Sequence, residues 1–248
     1  MKRLSKYNGM EILHKGLTLM RMRKKKHLEE RLDGVKDYLY IAELPDLNFR
    51  TARNNPRYLD FSSIYERDLP LYLEIGCGKG QFITEMALRH PEFNFLAVEK
   101  IGNVIVSGAE EAKRLGLKNL FFLQCNAEYL PCFLPPESVS GIYLNFSCPF
   151  PKKAYACHRL TNRNFLEMYR EFMIPGAEIH QKTDNRNFFE YSLEEFSASG
   201  YRLKNISLDL HNSDFHENVT TEYEEKFAAQ GLPIYRLEAW TPEKEEKQ

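Results

Sequence analysis

The sequence has little that would suit a membrane protein, a secreted scaffold or a disordered chain. Its 248 residues include one Trp and five Cys, with no CxxC pair and no long apolar run free of charge. Without such a run there is no membrane-spanning helix, and no apolar segment follows Met1 as a signal peptide requires. Hydrophobic residues make up 43% and charged residues 28%, which is typical of a folded globular chain. We therefore expect a cytoplasmic protein with reduced thiols.

Net charge is also small, at −1, but its distribution along the chain is uneven. Residues 1–36 carry 11 basic and 4 acidic side chains, whereas residues 214–248 carry 9 acidic and 4 basic ones. The densest basic run is 21–27, and Lys152, Lys153, His158 and Arg159 form a second group. A basic arm on a near-neutral body can bind the phosphates of a nucleic acid. A solvated N-terminus would look the same, so charge alone leaves both interpretations open.

Apolar segments of strand and helix type alternate between residues 69 and 241, which predicts an α/β domain of repeated strand–helix units. Residues 20–68 are expected to form a basic arm and lead-in with a weak helical pattern at 28–39, and residues 242–248 a charged tail. A late pair of strands departs from a purely parallel repeat. The predicted strands are 71–75, 93–98, 120–123, 141–146, 177–182, 206–210 and 235–239, and the predicted helices are 80–89, 104–115, 162–173 and 187–199.

A glycine turn, residues 76–80, follows the first predicted strand and precedes a predicted helix. Its glycines allow a tight turn and a close approach of the backbone to a ligand. Glu99 ends the next predicted strand, 19 residues after Gly80, where a carboxylate can accept both hydroxyls of a ribose. Asn126 follows the third predicted strand and is placed to hydrogen-bond an adenine edge.

The spacing of this turn separates two classes of cofactor. The dinucleotide fingerprint GxGxxG needs a glycine at position 81, which is Gln81 here. The GxGxG spacing, with Glu74 two residues ahead of Gly76, suits the methionine end of S-adenosylmethionine, whose ammonium needs nearby acceptors. A nicotinamide cofactor is the alternative and an ordinary glycine-rich turn the third possibility. The spacing favours an adenosyl cofactor.

A proline loop, residues 145–153, follows the fourth predicted strand, where ligands of open α/β sheets bind. Pro149 and Pro151 stiffen it, while Phe150 offers a face for stacking a base and Lys152 a charge for a phosphate. Asp184 follows the fifth predicted strand at the same rim of the sheet. It serves either the substrate or the cap of the next helix.

Two further features permit functional and ordinary interpretations. Residues 221–224 open a late predicted helix, where a run of charge is usually surface charge. Cys148, Cys157 and His158 lack the spacing of metal ligands, so we expect no metal. Cys148 could act as a nucleophile, but no partner motif supports that role.

These segments, taken in order, resemble bacterial tRNA (guanine-N7-)-methyltransferases. The resemblance covers about residues 20–240. Residues 1–19 precede the family's usual start, so we interpret them either as an extension or as the result of an upstream start chosen in gene calling. The segments that carry the resemblance are LYLEIGCGKGQFI (71–83), VEK (98–100), LNFSCPFPKK (144–153), RLT (159–161), EIHQKTDN (178–185), LDLHNSDF (208–215), TEYEEKF (221–227) and PIYRLEA (233–239).

The resemblance implies a class I, Rossmann-like methyltransferase with a seven-stranded, mostly parallel sheet, helices on both faces and an antiparallel last strand. It implies S-adenosylmethionine as donor and N7 of guanine-46, in the variable loop of tRNA, as acceptor. By motif position the cofactor contacts would be Glu74, Gly76, Gly78, Glu99, Asn126 and Cys148. The substrate contacts would be Lys152, Asp184, Thr221, Glu222, Tyr223 and Glu224.

The proline loop departs from the family pattern in two ways. The family loop normally reads SDPWPKK, with the Asp at the active site, and this sequence has Cys148 and Phe150 at the Asp and Trp positions. The strongly basic segment that usually follows is replaced by residues 154–159, with few charges. An enzyme of reduced activity is therefore expected, with a non-catalytic tRNA- or cofactor-binding relative as the alternative. A monomer and a homodimer are equally compatible with the sequence.

Overall fold

A computed structural model describes residues 10–11, 20–21, 26–43, 49–215, 218–221, 224, 227 and 230–241. Glu222, Tyr223, most of the extension at 1–19, most of the basic run and the tail at 242–248 lie outside the described residues. The predictions made for them stay predictions. Within the described ranges, no helix has both the length and the apolar character needed to cross a bilayer.

The described chain alternates strands with helices, as the apolar pattern predicts. The strands are β1 (Met10–Glu11), β2 (Met20–Arg21), β3 (Leu39–Ile41), β4 (Leu71–Ile75), β5 (Asn94–Glu99), β6 (Leu120–Gln124), β7 (Val139–Asn145), β8 (Met173–Thr183), β9 (Arg202–Ser207) and β10 (Tyr235–Trp240). The helices are α1 (Leu28–Asp33), α2 (Phe49–Asn54), α3 (Phe61–Ile64), α4 (Gln81–Arg89), α5 (Gly102–Leu115), α6 (Arg163–Tyr169) and α7 (Arg186–Ala198). Short 3-10 helices span Ala127–Cys132, Lys153–His158 and Leu210–Asn212.

The main sheet runs in the order β3-β6-β5-β4-β7-β8-β10-β9. The pairs from β3 to β8 are parallel, and β10 is antiparallel to both of its neighbours. The predicted mostly parallel sheet with an antiparallel last strand is therefore confirmed. The strand order reverses between β4 and β7, and ligands of such sheets bind at the carboxyl ends beside this point. β1 and β2 pair only with each other in the described part of the chain.

The number of strands differs slightly from the expectation, because in the residues that the structure describes the main sheet has eight strands rather than seven. The additional strand is β3, which falls at the end of the weak helical pattern at 28–39. Helix α1 ends early, where the Gly34 N–H donates to the Glu30 carbonyl at 2.9 Å. The chain then turns, and Leu39 pairs in register with Phe122 at the edge of the sheet. Three residues are too few to show a strand periodicity in sequence.

The position of β9 also differs from the expectation. The alternation of Ile206, Leu208 and Leu210 predicts a strand at 206–210, whereas β9 spans Arg202–Ser207 and Leu208 is 64% exposed. β9 is an edge strand that pairs only with β10 in the described sheet, so burial does not impose a regular apolar pattern on it. Leu210 is buried beyond the strand, where its N–H donates to the Ile234 carbonyl at 2.8 Å.

Two hydrophobic clusters, one on each face, hold the sheet between its helices. Leu96 of β5 belongs to the cluster that includes side chains of α6 and α7, whereas Phe95 belongs to the cluster that includes side chains of α4 and α5. Gly108 of α5 packs directly on the glycine turn. A Cβ built there would lie 2.7 Å from the Phe122 ring and 2.8 Å from the Lys79 carbonyl. This contact supports the turn from below and leaves no room for a larger residue.

Candidate functional site

The glycine turn leaves β4 in a conformation that favours glycine. Gly76, Gly78 and Gly80 have φ angles of 83°, 58° and 78°, in the left-handed region that strains other residues. The N–H groups of Gly76 and Cys77 donate to the Val98 carbonyl at 2.8 and 3.0 Å, which joins the turn to β5. A Cβ built on Gly76 or Gly78 would meet no atom within 4 Å. The turn is therefore fixed on one side and open on the other, where a ligand can approach.

Glu74, the acid ahead of the turn, is buried with its hydrogen bonding incomplete. It is 3% exposed, and its Oε1 accepts a hydrogen bond from Asn145 Nδ2 at 2.9 Å. Its Oε2 is buried and has no hydrogen-bond partner among the residues that the structure describes. Burial raises the pKa of Glu74 to about 7, although Asn145 and the charge of Lys182 lower it. A bound cation would stabilise the anion that the pocket holds poorly by itself.

Glu99 lies at the carboxyl end of β5, next to the glycine turn. Its Oε1 accepts a hydrogen bond from the Ile101 N–H at 3.0 Å, which fixes the carboxylate beside the turn. Burial raises the pKa of Glu99, and the Ile101 N–H lowers it. Asn126 is exposed and precedes the 3-10 helix after β6. The Cys125 N–H donates to the Glu99 carbonyl at 3.1 Å. This bond places Asn126, the next residue along the chain, at the same edge of the sheet as Glu99.

The proline loop is held in a strained shape by contacts to the body of the protein. Phe146 and Phe150 have φ angles of 50° and 39°, which are unfavourable for residues other than glycine. The Phe146 N–H donates to the Lys182 carbonyl at 2.8 Å. The Arg159 guanidinium donates to the carbonyls of Pro149 and Phe150 at 2.9 and 3.0 Å. These contacts fix the conformation of the proline loop.

The side chains of the proline loop are at or near the surface. Cys148 is half-buried and Lys152 is exposed. The ring of Phe150 lies 5.8 Å from that of His158, centroid to centroid. Arg159, which clamps the loop, has its guanidinium carbon 4.1 Å from the centroid of the Tyr191 ring. The loop therefore presents a half-buried thiol, an aromatic ring and a lysine at the rim of the sheet.

Asp184 was predicted either to contact the substrate or to cap the next helix, and the structure shows which residue caps that helix. Asn185 is the N-cap of α7, and its side chain accepts a hydrogen bond from the Phe188 N–H at 2.9 Å. Asp184 itself is half-buried at the carboxyl end of β8, on the same rim as the proline loop. Because the cap position belongs to Asn185, the predicted substrate contact remains the interpretation that its location favours.

The late segment, residues 218–224, contributes a buried carboxylate at this rim. The Glu224 N–H donates to Thr221 Oγ1 at 3.0 Å, as in the start of a capped helix. Glu224 is 0% exposed, and its Oε2 accepts a hydrogen bond from Lys182 Nζ at 2.8 Å. Sequence reasoning named Thr221 and Glu224 as site residues and Arg159 only as a member of a basic group, and it gave no role to Lys182 or Asn145. Polar residues at the ends of buried strands were the available signal for Lys182 and Asn145.

The fold is that of the methyltransferases, as two solved structures show. "Structure of an Antibiotic Related Methyltransferase" is 16% identical, with a TM-score of 0.52, and the match covers 79% of this chain and 94% of that one. The 16S rRNA methyltransferase KamB is 16% identical, with a TM-score of 0.53, over 81% of this chain and 96% of that one. A family model described as "Putative methyltransferase" matches residues 68–237.

More similar sequences define the family within this class. The tRNA (guanine-N(7)-)-methyltransferase of Geobacillus kaustophilus is 43% identical over 223 residues, 90% of this chain and 98% of that protein. The protein of the same name from Halalkalibacterium halodurans is 48% identical over 202 residues, 80% of this chain and 90% of that protein. The chain belongs to the tRNA (guanine-N(7)-)-methyltransferase family.

The residues present at the glycine turn fit the cofactor of such an enzyme, S-adenosylmethionine. Glu74 offers a buried carboxylate oxygen without a partner among the described residues, suited to a cationic ligand. Gly76 and Gly78 leave open space beside the backbone, and Glu99 places a carboxylate at the end of the neighbouring strand β5. When bound, this cofactor supplies a methyl group on a positively charged sulfur.

Proposed function

We propose that the protein transfers the methyl group of S-adenosylmethionine to N7 of guanine-46 in the variable loop of tRNA, in the cytoplasm. Besides family membership, one observation carries the proposal. Asn145 begins the proline loop, and its side chain bonds Glu74 of the donor pocket at 2.9 Å. The donor pocket and the loop that carries Phe150 are therefore parts of one site at the reversal point of the sheet.

Methyl transfer to guanine N7 requires the protein to align the reacting groups and does not require proton transfer. Guanine N7 has a lone pair in the plane of the ring and carries no proton, so its attack on a methyl group needs no general base. The protein has to orient the guanine and stabilise the positive charge that forms on it. Carboxylates near the base serve both purposes: we assign the contact with the base to Asp184, and to Glu224, buried against Lys182, a negative charge beneath the base.

The remaining roles follow from location. Glu74, Gly76, Gly78, Glu99 and Asn126 form the donor pocket. Cys148 occupies the family's active-site Asp position, between donor and acceptor. On the acceptor side we assign Lys152, Asp184 and residues 221–224, of which Glu222 and Tyr223 are assigned from the family motif alone.

The experiment is to incubate the purified full chain with an unmodified tRNA transcript and labelled S-adenosylmethionine, and then to map N7-methylguanine by chain cleavage. We expect one methyl group per tRNA, at guanine-46. A matched transcript with 7-deazaguanine at position 46 lacks the nucleophile and should stay unmethylated. Methylation at another atom or position would contradict the assignment. Donor binding without any methyl transfer would favour a non-catalytic relative instead.

The clamp on the proline loop leads to a separate prediction. Arg159→Ala should lower kcat/KM for tRNA about ten- to a hundredfold, because hydrogen bonds from a charged group contribute about 1.5–3 kcal/mol. The dissociation constant of the donor, measured by calorimetry, should not change. Arg163→Ala is the matched control, since Arg163 pairs with Glu195 and does not contact the loop carbonyls. An equal loss of tRNA methylation in both variants would show that the contact of Arg159 with the loop has no specific effect on methylation.

A further inference from the structure

Lys182, the penultimate residue of β8, directs its charge into the protein. It is 6% exposed. Its Nζ donates to Asn218 Oδ1 at 3.1 Å, to the Val219 carbonyl at 2.7 Å and to Glu224 Oε2 at 2.8 Å. All three acceptors belong to the late segment, about forty residues further along the chain. One ammonium group therefore fastens the late segment to the end of β8.

The same ammonium group faces the donor pocket on its other side. Lys182 pairs in register with Asn145, whose side chain bonds Glu74 at 2.9 Å. The Lys182 Nζ lies 5.1 Å from the centroid of the Phe82 ring, and Phe82 is the second residue of α4, directly after the glycine turn. The positive charge of Lys182 also lowers the pKa of Glu74 against the effect of burial. Lys182 thus lies between the two halves of the site.

The charges around Lys182 are unbalanced in the described structure. Glu74 and Glu224 are both buried, and a buried carboxylate needs a counter-charge. Among the residues that the structure describes, Lys182 is a cation that acts on both of them: it hydrogen-bonds Glu224 and attracts Glu74 across the sheet. When both acids are ionised, this trio carries a net negative charge. A cationic ligand at the partnerless oxygen of Glu74 would balance it.

The conformation of the late segment depends on this pairing. Thr221 caps the backbone N–H of Glu224. The Glu224 carboxylate reaches the side chains of Lys182 and Asn218. Loss of the Lys182 charge would leave Glu224 Oε2 buried without the ammonium group that holds it, so the side chain would have to move. That movement alters the residues assigned to the guanosine.

We propose that Lys182 is a positioning residue that couples the donor pocket to the late segment. It acts through Glu74 on one side and Glu224 on the other. The proposal deepens the function proposed above and rests on it only for the identity of the two ligands. Its tests measure the affinity for the donor and the rate of backbone hydrogen exchange. Both can succeed or fail whether or not tRNA is methylated.

The first test measures the dissociation constant of S-adenosylmethionine by calorimetry between pH 6 and 9, with Lys182→Met and its matched control Lys204→Met. Lys204 lies on the same sheet but pairs with Glu178, away from the site. The anion of Glu74 binds a cation, so affinity should rise with pH through the pKa of Glu74. The titratable or charged groups that act on Glu74, Lys182 or Glu224 are Glu99, Cys77, Tyr143, Arg236 and His211.

Removing the Lys182 charge should move the midpoint of this pH dependence upward. We expect affinity about tenfold weaker at pH 7 in Lys182→Met, with recovery at higher pH, and no shift in Lys204→Met. The amine of the donor titrates identically in every variant, so the comparison removes its contribution. A purely structural role would weaken binding equally at every pH. That result would overturn the proposal.

The second test needs no substitution and covers the case in which Lys182→Met does not fold. Hydrogen exchange of peptides that cover the late segment is measured in the unaltered chain, without tRNA, with and without S-adenosylhomocysteine. Coupling predicts slower exchange in the late segment when the donor pocket is filled, and no change in a peptide from β9. Unchanged exchange in the late segment, at saturating ligand, would overturn the proposal.

Discussion

Cys148→Asp is expected to raise kcat/KM for tRNA methylation about ten- to a hundredfold. The family loop has a carboxylate at this position, and this chain has a half-buried thiol. A carboxylate accepts hydrogen bonds from the edge of the guanine that bears N1–H and N2–H and favours the positive charge of the product. A charged hydrogen bond contributes about 1.5–3 kcal/mol, which gives the expected factor.

The measurement is a steady-state methylation assay with labelled donor on one tRNA transcript. Cys148→Ser controls for loss of the thiol and should leave the rate low. Cys157→Asp adds the same charge at an exposed cysteine nine residues later and should have little effect. Unchanged or slower methylation by Cys148→Asp would mean that the site already works without a carboxylate there. The assigned roles of Asp184 and Glu224 would then carry more of the catalysis.

Glu74→Gln is expected to affect stability and donor binding in opposite directions. Burial raises the pKa of Glu74 from its ordinary value of 4.5 to about 7 in the folded protein. A folded protein with such a group binds more protons than the unfolded chain between these values, so its stability decreases as pH rises from about 4.5 to 7. At pH 8 the ionised Glu74 lowers the free energy of unfolding by up to about 3 kcal/mol. Glutamine removes this loss.

The same substitution removes the anion that a cationic donor requires. We expect the dissociation constant of S-adenosylmethionine to rise about thirtyfold or more, because loss of one partner of a buried charge pair weakens binding by about 2–5 kcal/mol. Urea unfolding of the ligand-free protein at pH 5 and pH 8, together with calorimetry of donor binding, tests both halves. A variant that is less stable at pH 8, or that binds the donor normally, would contradict this account.

Glu178→Gln is the control, because the pKa of Glu178 is shifted in the opposite direction to the pKa of Glu74. His180 and Lys204 lower the pKa of Glu178 to about 2. A lowered pKa contributes stability above the unfolded value and loses it as pH falls, so this variant should lose stability near neutrality. Glu178 is partly exposed, so the effect should be small. It lies away from the glycine turn, and donor affinity should stay unchanged.

The fold was predictable where burial acts on both faces of the sheet. β4 to β8 are central strands whose apolar runs are long enough to predict a strand from the sequence. Their predicted bounds match the structure to within about four residues. β3 has three residues and depends on an edge pairing with β6. β9 has one neighbour and an exposed face, so its alternation misled the prediction. Periodicity reports burial, and at the edges of a sheet burial is too incomplete to position a strand.

The candidate site was predictable as a set of strand ends but not as a network. Glu74, Glu99 and Asn126 follow from the glycine turn and the ends of parallel strands. The hydrogen bond from Asn145 to Glu74, the clamp by Arg159 and the burial of Lys182 against Glu224 join residues 9 to 71 positions apart. No local pattern encodes such contacts, because they arise only once the strands are arranged side by side.

The position of β10 has a consequence for synthesis of the protein. β9 is made first, yet in the described sheet its only neighbour is β10, which inserts between β8 and β9. While Tyr235–Trp240 is still within the ribosome, β8 has one unpaired edge and β9 has no sheet to join. An open edge of this kind can recruit strands from other chains. Polypeptides that end before residue 235 should therefore aggregate on release, because the edge of β8 that β10 covers would stay open.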